Sequence, residues 1–538
     1  MRIFTALLWF AFAGSAWAQT DCNCTYTITK TGMYDGKSLK IAPGSTVCIK
    51  AGAYTYLRLN NFVGTPDKPI RFINCGGLVD VNYPTGSSTG IAFQGCRYFQ
   101  ITGTGDSRYE YGIRISKTGT NISGLNITNK SSDCEVDHVE VSNTGFAGIM
   151  IKTDPTCDVT TQRANFTMYN VKVHHNYVHD TKGEGLYIGN SFWNEGMGRT
   201  CSGKNVKVLP HNIIGLEIAY NRTENTGCEG IQYACAPESQ VHHNTVYNSG
   251  IDPFDAYQDN GVQIGGGVSG RFYNNTIRQS KGIGLIVVGH LGPNYIYNNI
   301  ITDSGDNGVF VDERANSLAN VDIVLANNTI NRAKGEGIKL YNETQNTYIL
   351  NTAITGVGSN KYISTLNTKV RYTAQNNFTA AGGSDAGYVD AGADDYHTTS
   401  TSLLINRGQD LKRYGIVVDL EDVDRPKGGT YDIGVYENVA ESNSGARKSV
   451  AARAELSETV VVRAFPSPCV DQLTVRLSNE EAITELSIVD GAGRTLTQHQ
   501  PLAPAAEVTL PVNQLSSGVY LIRIGTGIRQ YVGRFLKQ

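Results

Sequence analysis

Beyond its first eighteen residues the chain has no apolar run long enough to cross a bilayer as a helix. Charge is sparse and nearly balanced: charged residues make up 18% of the sequence and sum to −3. That argues against nucleic acid or an anionic membrane as the partner. No Cys/His spacing has the form of a zinc site. Ala and Leu at helical spacing are scarce through the middle of the chain, so helical repeats are not expected. What remains, with 59 glycines and 29 tyrosines, is an extracellular kind of β protein. Residues 1–18 combine a basic start (Arg2), an apolar run from Ile3 to Phe12 and small residues at Ala16-Trp17-Ala18. This pattern is that of a secretory signal peptide cleaved before Gln19. All eleven cysteines follow it, and an exported compartment favours disulfides. Cys157–Cys201 and Cys228–Cys235 are candidates to clip long turns, and the odd count leaves at least one thiol over.

The strongest positive signal is a repeated phrase: Asn, a β-branched residue two positions on, Gly nine positions on, then apolar-x-apolar. It begins at Asn176, Asn221, Asn275, Asn299 and Asn328; a copy from Asn244 resumes at Gly261, and a degenerate copy runs from Val139 to Ile151. Repetition on this scale means stacked supersecondary units. The shortest interval, 23 residues, is too short for a helical hairpin repeat. Apolar-x-apolar is the period of a strand with one buried face, and Val, Ile, Tyr and Thr fill these strands. The expectation is a parallel β-helix: short strands and turns, each coil about 4.8 Å above the last. Stacked Asn side chains then hydrogen-bond along the axis at an inward turn. The Gly fits a turn needing positive φ or a close backbone approach.

Irregular strands from residue 21 to about 114 read as a cap over the open end of the hydrophobic stack. Long turns at 153–169, 190–213 and 251–260 interrupt otherwise compact coils, and such insertions gather on the binding face of solenoids. Residues 19–437 therefore form the β-helix with its cap and closing segment. Residues 438–459 are polar and aperiodic, a linker. Residues 460–538 form a separate small β-sandwich.

The closing segment, Asp422-Val423-Asp424-Arg425-Pro426 with Asp432-Ile433-Gly434-Val435-Tyr436-Glu437, resembles that of secreted bacterial β-helix proteins. Most of 22–437 resembles the right-handed β-helix repeat proteins of Bacteroidetes. The last domain resembles the C-terminal sorting domain of the type IX secretion system. Its matching residues are Phe465-Pro466-Ser467-Pro468, Val489-Asp490-Gly491-Ala492-Gly493-Arg494, Gly518-Val519-Tyr520-Leu521-Ile522-Arg523 and the end Arg534-Phe535-Leu536-Lys537. Ser467 stands where the family usually has Asn. The resemblance implies passage through the periplasm and outer membrane by the type IX machinery to the exterior or cell surface.

Unequal slots of the repeat are where chemistry is expected. Eight positions after the Asn the coils present Glu184, Glu229 and Asn260; eleven positions after, pointing outward, they present Tyr187, Gln232 and Gln263. With Asp259 these form one polar patch, which later coils replace with Ile286 and Phe310. On an exposed face, neighbouring carboxylates either raise one pKa or share a cation. Glu184 and Glu229 are thus candidate catalytic residues or Ca²⁺ ligands, with Tyr187 as a possible proton carrier. Gln232, Asp259, Asn260 and Gln263 are candidate substrate contacts, and Trp193 a ring for stacking on a sugar. The competing roles are solvated turn residues for the two acids and a packed turn aromatic for Trp193. His174 and His242, two rungs apart with Ala219 between them, are assigned structural roles, and His138 is set apart from them. Gly250-Ile251-Asp252-Pro253-Phe254-Asp255 resembles a motif of mannuronan C5-epimerases, but Phe254 replaces the His that moves the proton. The function expected is a secreted protein acting on polysaccharide, as a lyase or hydrolase; the alternative is a non-catalytic surface protein that binds a glycan.

Overall fold

A computed structural model describes residues 22–439 and most of 462–537. The expected signal peptide and nearly all of the expected linker lie outside the described residues. The chain divides into two units, Met1–Ala440 and Glu441–Gln538.

The first unit is a parallel β-helix of three strands per coil. One coil, for example, runs through strands Asn212–Ala219, Arg222–Thr226 and Ile231–Tyr233. The first two strands of each coil join a continuous 23-stranded sheet, here sheet 1, and the third joins a 12-stranded sheet, sheet 2. The register puts Ile149, Leu186, Ile231, Val262, Leu285, Val309 and Ile338 in one column, and all are buried. Beta-branched and Leu side chains stack there because identical rungs place like on like, so the core grows by repetition.

The bend inside sheet 1 is made by the repeated Asn. Asn244 donates from Nδ2 to the carbonyls of Ile218 (2.9 Å) and His242 (3.0 Å) and to Asn275 Oδ1 (3.0 Å). It accepts from the backbone N–H and Nδ2 of Asn221, both at 3.0 Å. The ladder runs from Asn176 to Asn328. The residue before each Asn takes a left-handed backbone: His175, Tyr220, His243, Asn274, Asn298 and Asn327 all have φ near +50°, as does His138 before Val139 of the degenerate copy. Bulky residues rarely sit there; here the fixed Asn hydrogen bonds on the next residue impose the turn. The repeated Gly, by contrast, does not use positive φ. A Cβ on Gly185 would lie 2.5 Å from the Gly230 carbonyl, and one on Gly261 would lie 2.4 Å from that of Gly284, so close coil-to-coil approach is what requires glycine.

Disulfides Cys22–Cys75 and Cys24–Cys48 hold the first coils, and Cys157–Cys201 ties the 153–169 turn to a hairpin, Met197–Cys201 with Lys204–Val208. Cys228 and Cys235 are buried free thiols, contrary to the expected pairing. They lie at opposite ends of strand Ile231–Tyr233, too far apart along an extended chain to bond. At the far end the closing segment lies along the Asn turns: Asn298 and Asn327 donate to the carbonyls of Val418 and Asp432 (2.9 and 2.8 Å). Arg425, fully buried, pairs with Glu437 at 2.7 Å.

The second unit has a three-stranded antiparallel sheet (Val462–Phe465, Gln472–Leu477, Glu507–Pro511) and a four-stranded one (Glu485–Val489, Thr495–His499, Gly518–Gly525, Gln530–Lys537). They share a core that includes Leu473, Val475, Ile488, Leu510, Ile522 and Phe535, which makes a small sandwich.

Candidate functional site

Strand register in sheet 2 aligns Met150, Tyr187, Gln232, Gln263, Ile286, Phe310 and Lys339 in one outward column. The acids belong to the turn that feeds this sheet: Gly185 donates to the Glu229 carbonyl at 3.0 Å, which fixes Glu184 and Glu229 in adjacent coils. The sequence placed both on an exposed face. Instead they are buried, at 2% and 0% exposure. The turn is drawn inward by the glycine that follows each acid, and the 251–260 loop closes over it. Asp252 pairs with Lys182, Phe254 packs on Phe146 at 5.7 Å, and Cys228 Sγ lies 3.9 Å from Gln258 Oε1.

Burial dominates the chemistry of the pair. It pushes the Glu229 carboxyl up to about 8, against a hydrogen bond from Asn260 Nδ2 to Oε1 (3.0 Å), while the neighbouring Glu184 adds to the rise. Burial also raises Glu184, opposed by its own backbone N–H and by Lys152. One oxygen on each, Glu184 Oε2 and Glu229 Oε2, has no hydrogen-bond partner. Burial likewise raises Asp259, and Asp306 adds to it.

The neighbours differ from the open patch the sequence suggested. Ser191, from the long 190–213 turn, bridges the Tyr187 hydroxyl (2.9 Å) and Gln232 Nε2 (2.5 Å), so both side chains are buried while Gln263 remains half-exposed. Asn260 is buried beneath the loop, its amide also donating to the Tyr257 carbonyl at 2.8 Å. Trp193 is packed, not presented. It is 6% exposed, donates to Asn212 Oδ1 at 2.7 Å and carries the Arg163 guanidinium 4.0 Å over its ring. Its face is therefore closed to a sugar. Phe192, Phe254 and Tyr257 are the exposed aromatics of the two loops.

Sequence reading missed Lys152, which follows the degenerate copy of the repeat and so fell outside the compared slots. Its Nζ lies 4.4 Å over the Tyr187 ring and 3.1 Å from Asp154 Oδ1. Burial pulls its ammonium down, but Tyr187 and Asp154 outweigh this and hold it above its ordinary value. The acid pair and the Asn260 amide supply fewer than the six to eight oxygens Ca²⁺ takes, so the ion would need further carbonyl or solvent oxygens there.

Residues 254–379 match the model of the right handed beta helix region, and residues 463–538 that of the secretion system C-terminal sorting domain. No curated protein matches the sequence. Among solved structures, the chain is similar to the pectate lyase Pel9A at 12% identity, over 77% of this chain and 97% of that one, with a TM-score of 0.39. It is also similar to a GH136 lacto-N-biosidase from Eubacterium ramulus (14% identity, 63% and 62% covered, TM-score 0.43). A third is the A-module of a mannuronan C-5 epimerase from Azotobacter vinelandii (13%, 66% and 96%, TM-score 0.32). The strand register and the two matched segments together identify the chain as a right-handed parallel β-helix repeat protein that carries a type IX secretion sorting domain, an export signal of Bacteroidetes directing it to the exterior or the cell surface.

Proposed function

We propose that the sheet 2 side of the β-helix acts on polysaccharide, with Glu184 and Glu229 as its proton-transfer pair. The observation that carries this is the pair itself: two buried carboxyls from adjacent coils, each with an oxygen that nothing in the protein satisfies. Buried polar groups are nearly always paired, and orphaned acids with shifted pKa values are typical of catalytic sites. Adjacent rungs of about 4.8 Å come close to the ~5–5.5 Å between carboxyls of retaining glycosidases. Glu229, protonated near neutral pH, is the proton donor to the leaving oxygen. Glu184, beside Lys152, is the group that meets the sugar carbon from the other side. Tyr187 flanks them, its hydroxyl held by Ser191.

Charge favours hydrolysis over elimination. A lyase needs a free cation to neutralise a uronate, but around the acids Lys152 is paired with Asp154 and Lys182 with Asp252. The substrate is therefore read as a neutral glycan, admitted when the 251–260 loop lifts from the acids. The rival reading, a surface protein that binds glycan without cleaving it, draws on the same burial and on Ser191 satisfying Tyr187 and Gln232.

Screening the secreted protein against a polysaccharide panel tests this. Hydrolysis predicts new reducing ends, lost by about 10²-fold or more in Glu184→Gln and Glu229→Gln with melting not lowered in either variant. Ultraviolet-absorbing unsaturated products would replace hydrolysis with elimination. Retention on a glycan with no turnover would establish the binding protein instead.

A further inference from the structure

Sheet 1 presents a second cluster of titratable groups, on the other sheet from Glu184 and Glu229. Glu135 and Asp137 alternate outward on strand Ser132–Asp137; His174 stands in register with Asp137 on the next coil, and Gln100 in register with Glu135 on the previous one. The sequence pairs His174 with His242 in structural roles and leaves His138 separate from both. The stacking of coils brings one ligand atom each from Glu135, Asp137 and His174 within 4.8 Å of one another.

The contacts converge on one point. His174 Nε2 faces Glu135 Oε1 at 3.2 Å, while its Nδ1 faces His175 Nδ1 at 2.9 Å. Nε2–H donates to that carboxylate oxygen; a bound cation would take the place of this proton, while Nδ1 stays shared with His175. Gln100 Nε2 lies 2.9 Å from both Glu135 Oε1 and Asp137 Oδ2; turning that amide puts its carbonyl oxygen at the same place. Thr102 and His138 hold the other Asp137 oxygen at 2.5 and 2.7 Å, so the carboxylate is braced from behind. Lys172 and His242 face Glu217 instead. Three ligands from two coils, a neutral oxygen, and second groups orienting the His and the Asp are the parts of a divalent metal site.

We propose that Glu135, Asp137 and His174 bind a zinc-class divalent cation, with Gln100 able to add an amide oxygen. Bonds of about 2.0–2.2 Å require the three ligand atoms, already within 4.8 Å of one another, to close around a common point. The mixture of imidazole and carboxylate suits Zn²⁺ better than Ca²⁺, which takes oxygen alone. Side-chain exposures of 34% for Glu135 and 23% for His174 leave one side open to solvent, so a coordination position faces outward. The acids of sheet 2 play no part, and either assignment can fail without the other.

The test is zinc titration of the full secreted protein after chelator treatment, followed by calorimetry and by metal analysis after dialysis. One Zn²⁺ per chain is expected, with a raised melting temperature. Glu135→Gln and His174→Ala, both at partly exposed positions, should each weaken binding at least tenfold. His242→Ala, two coils away, should leave it unchanged. Absence of stoichiometric zinc, or binding that survives His174→Ala, overturns the proposal. So does a preference for Ca²⁺ that His174→Ala does not alter, since that would mark an all-oxygen site.

Discussion

Glu229 makes the β-helix sensitive to pH in a direction opposite to ordinary acid denaturation. In the unfolded chain its carboxyl loses its proton near the ordinary value of 4.5; in the fold it keeps the proton to about 8. Below 4.5 both states are protonated and the group contributes nothing. Between 4.5 and 8 the folded state binds more protons than the unfolded state, so stability falls as pH rises, by about 1.4 kcal/mol per pH unit. Above 8 both are ionised and the loss levels off, having reached on the order of 4–5 kcal/mol. Glu229→Gln keeps the shape and removes the titration. Melting curves of wild type and variant from pH 4.5 to 8.5 should therefore diverge, the variant gaining on the wild type by roughly 5 °C or more as pH rises. Glu184, raised by burial in the same direction, adds a smaller effect of the same sign. Parallel pH profiles for wild type and Glu229→Gln would refute the reasoning, for then the carboxyl is hydrated or paired and not held neutral by burial.

Three further outcomes follow from the fold. Asn244→Ala removes five ladder hydrogen bonds and leaves the Asn221 N–H without its acceptor; a loss of about 3–5 kcal/mol is expected at ~1 kcal/mol per bond with one orphaned donor, read as a lowered melting temperature. Gly185→Ala forces a Cβ to 2.5 Å from a backbone carbonyl and should destabilise by about 1–3 kcal/mol, whereas alanine at Gly198, where nothing lies within 4 Å, should be neutral. Reducing Cys157–Cys201, which closes a separation of 44 residues, should release the 197–208 hairpin to proteolysis while the coils on either side, held by their own ladders, stay protected.

Most of the architecture was legible because a solenoid writes its geometry into its period. Asn at fixed spacing identified the inward turn, and apolar-x-apolar identified sheet 2, since each coil repeats the same local solution. The site was less legible. Glu184 and Glu229 were found as unequal slots, yet their burial was not, because it depends on a loop inserted two coils after the first and one after the second, at 251–260. Trp193 looked available for the same reason: its partners Asn212 and Arg163 lie beyond either side of it in the sequence. Lys152 escaped because it sits on a coil whose phrase is degenerate.

By itself the sequence determined the coil, its stacking and the Asn ladder, which are local rules repeated, and the C-terminal sorting domain through the motifs it shares with its family. Only the tertiary structure decided the protonation of Glu229 and the meeting of Glu135, Asp137 and His174. Burial and ligand convergence are sums over neighbours from different coils, and no spacing along one strand contains them.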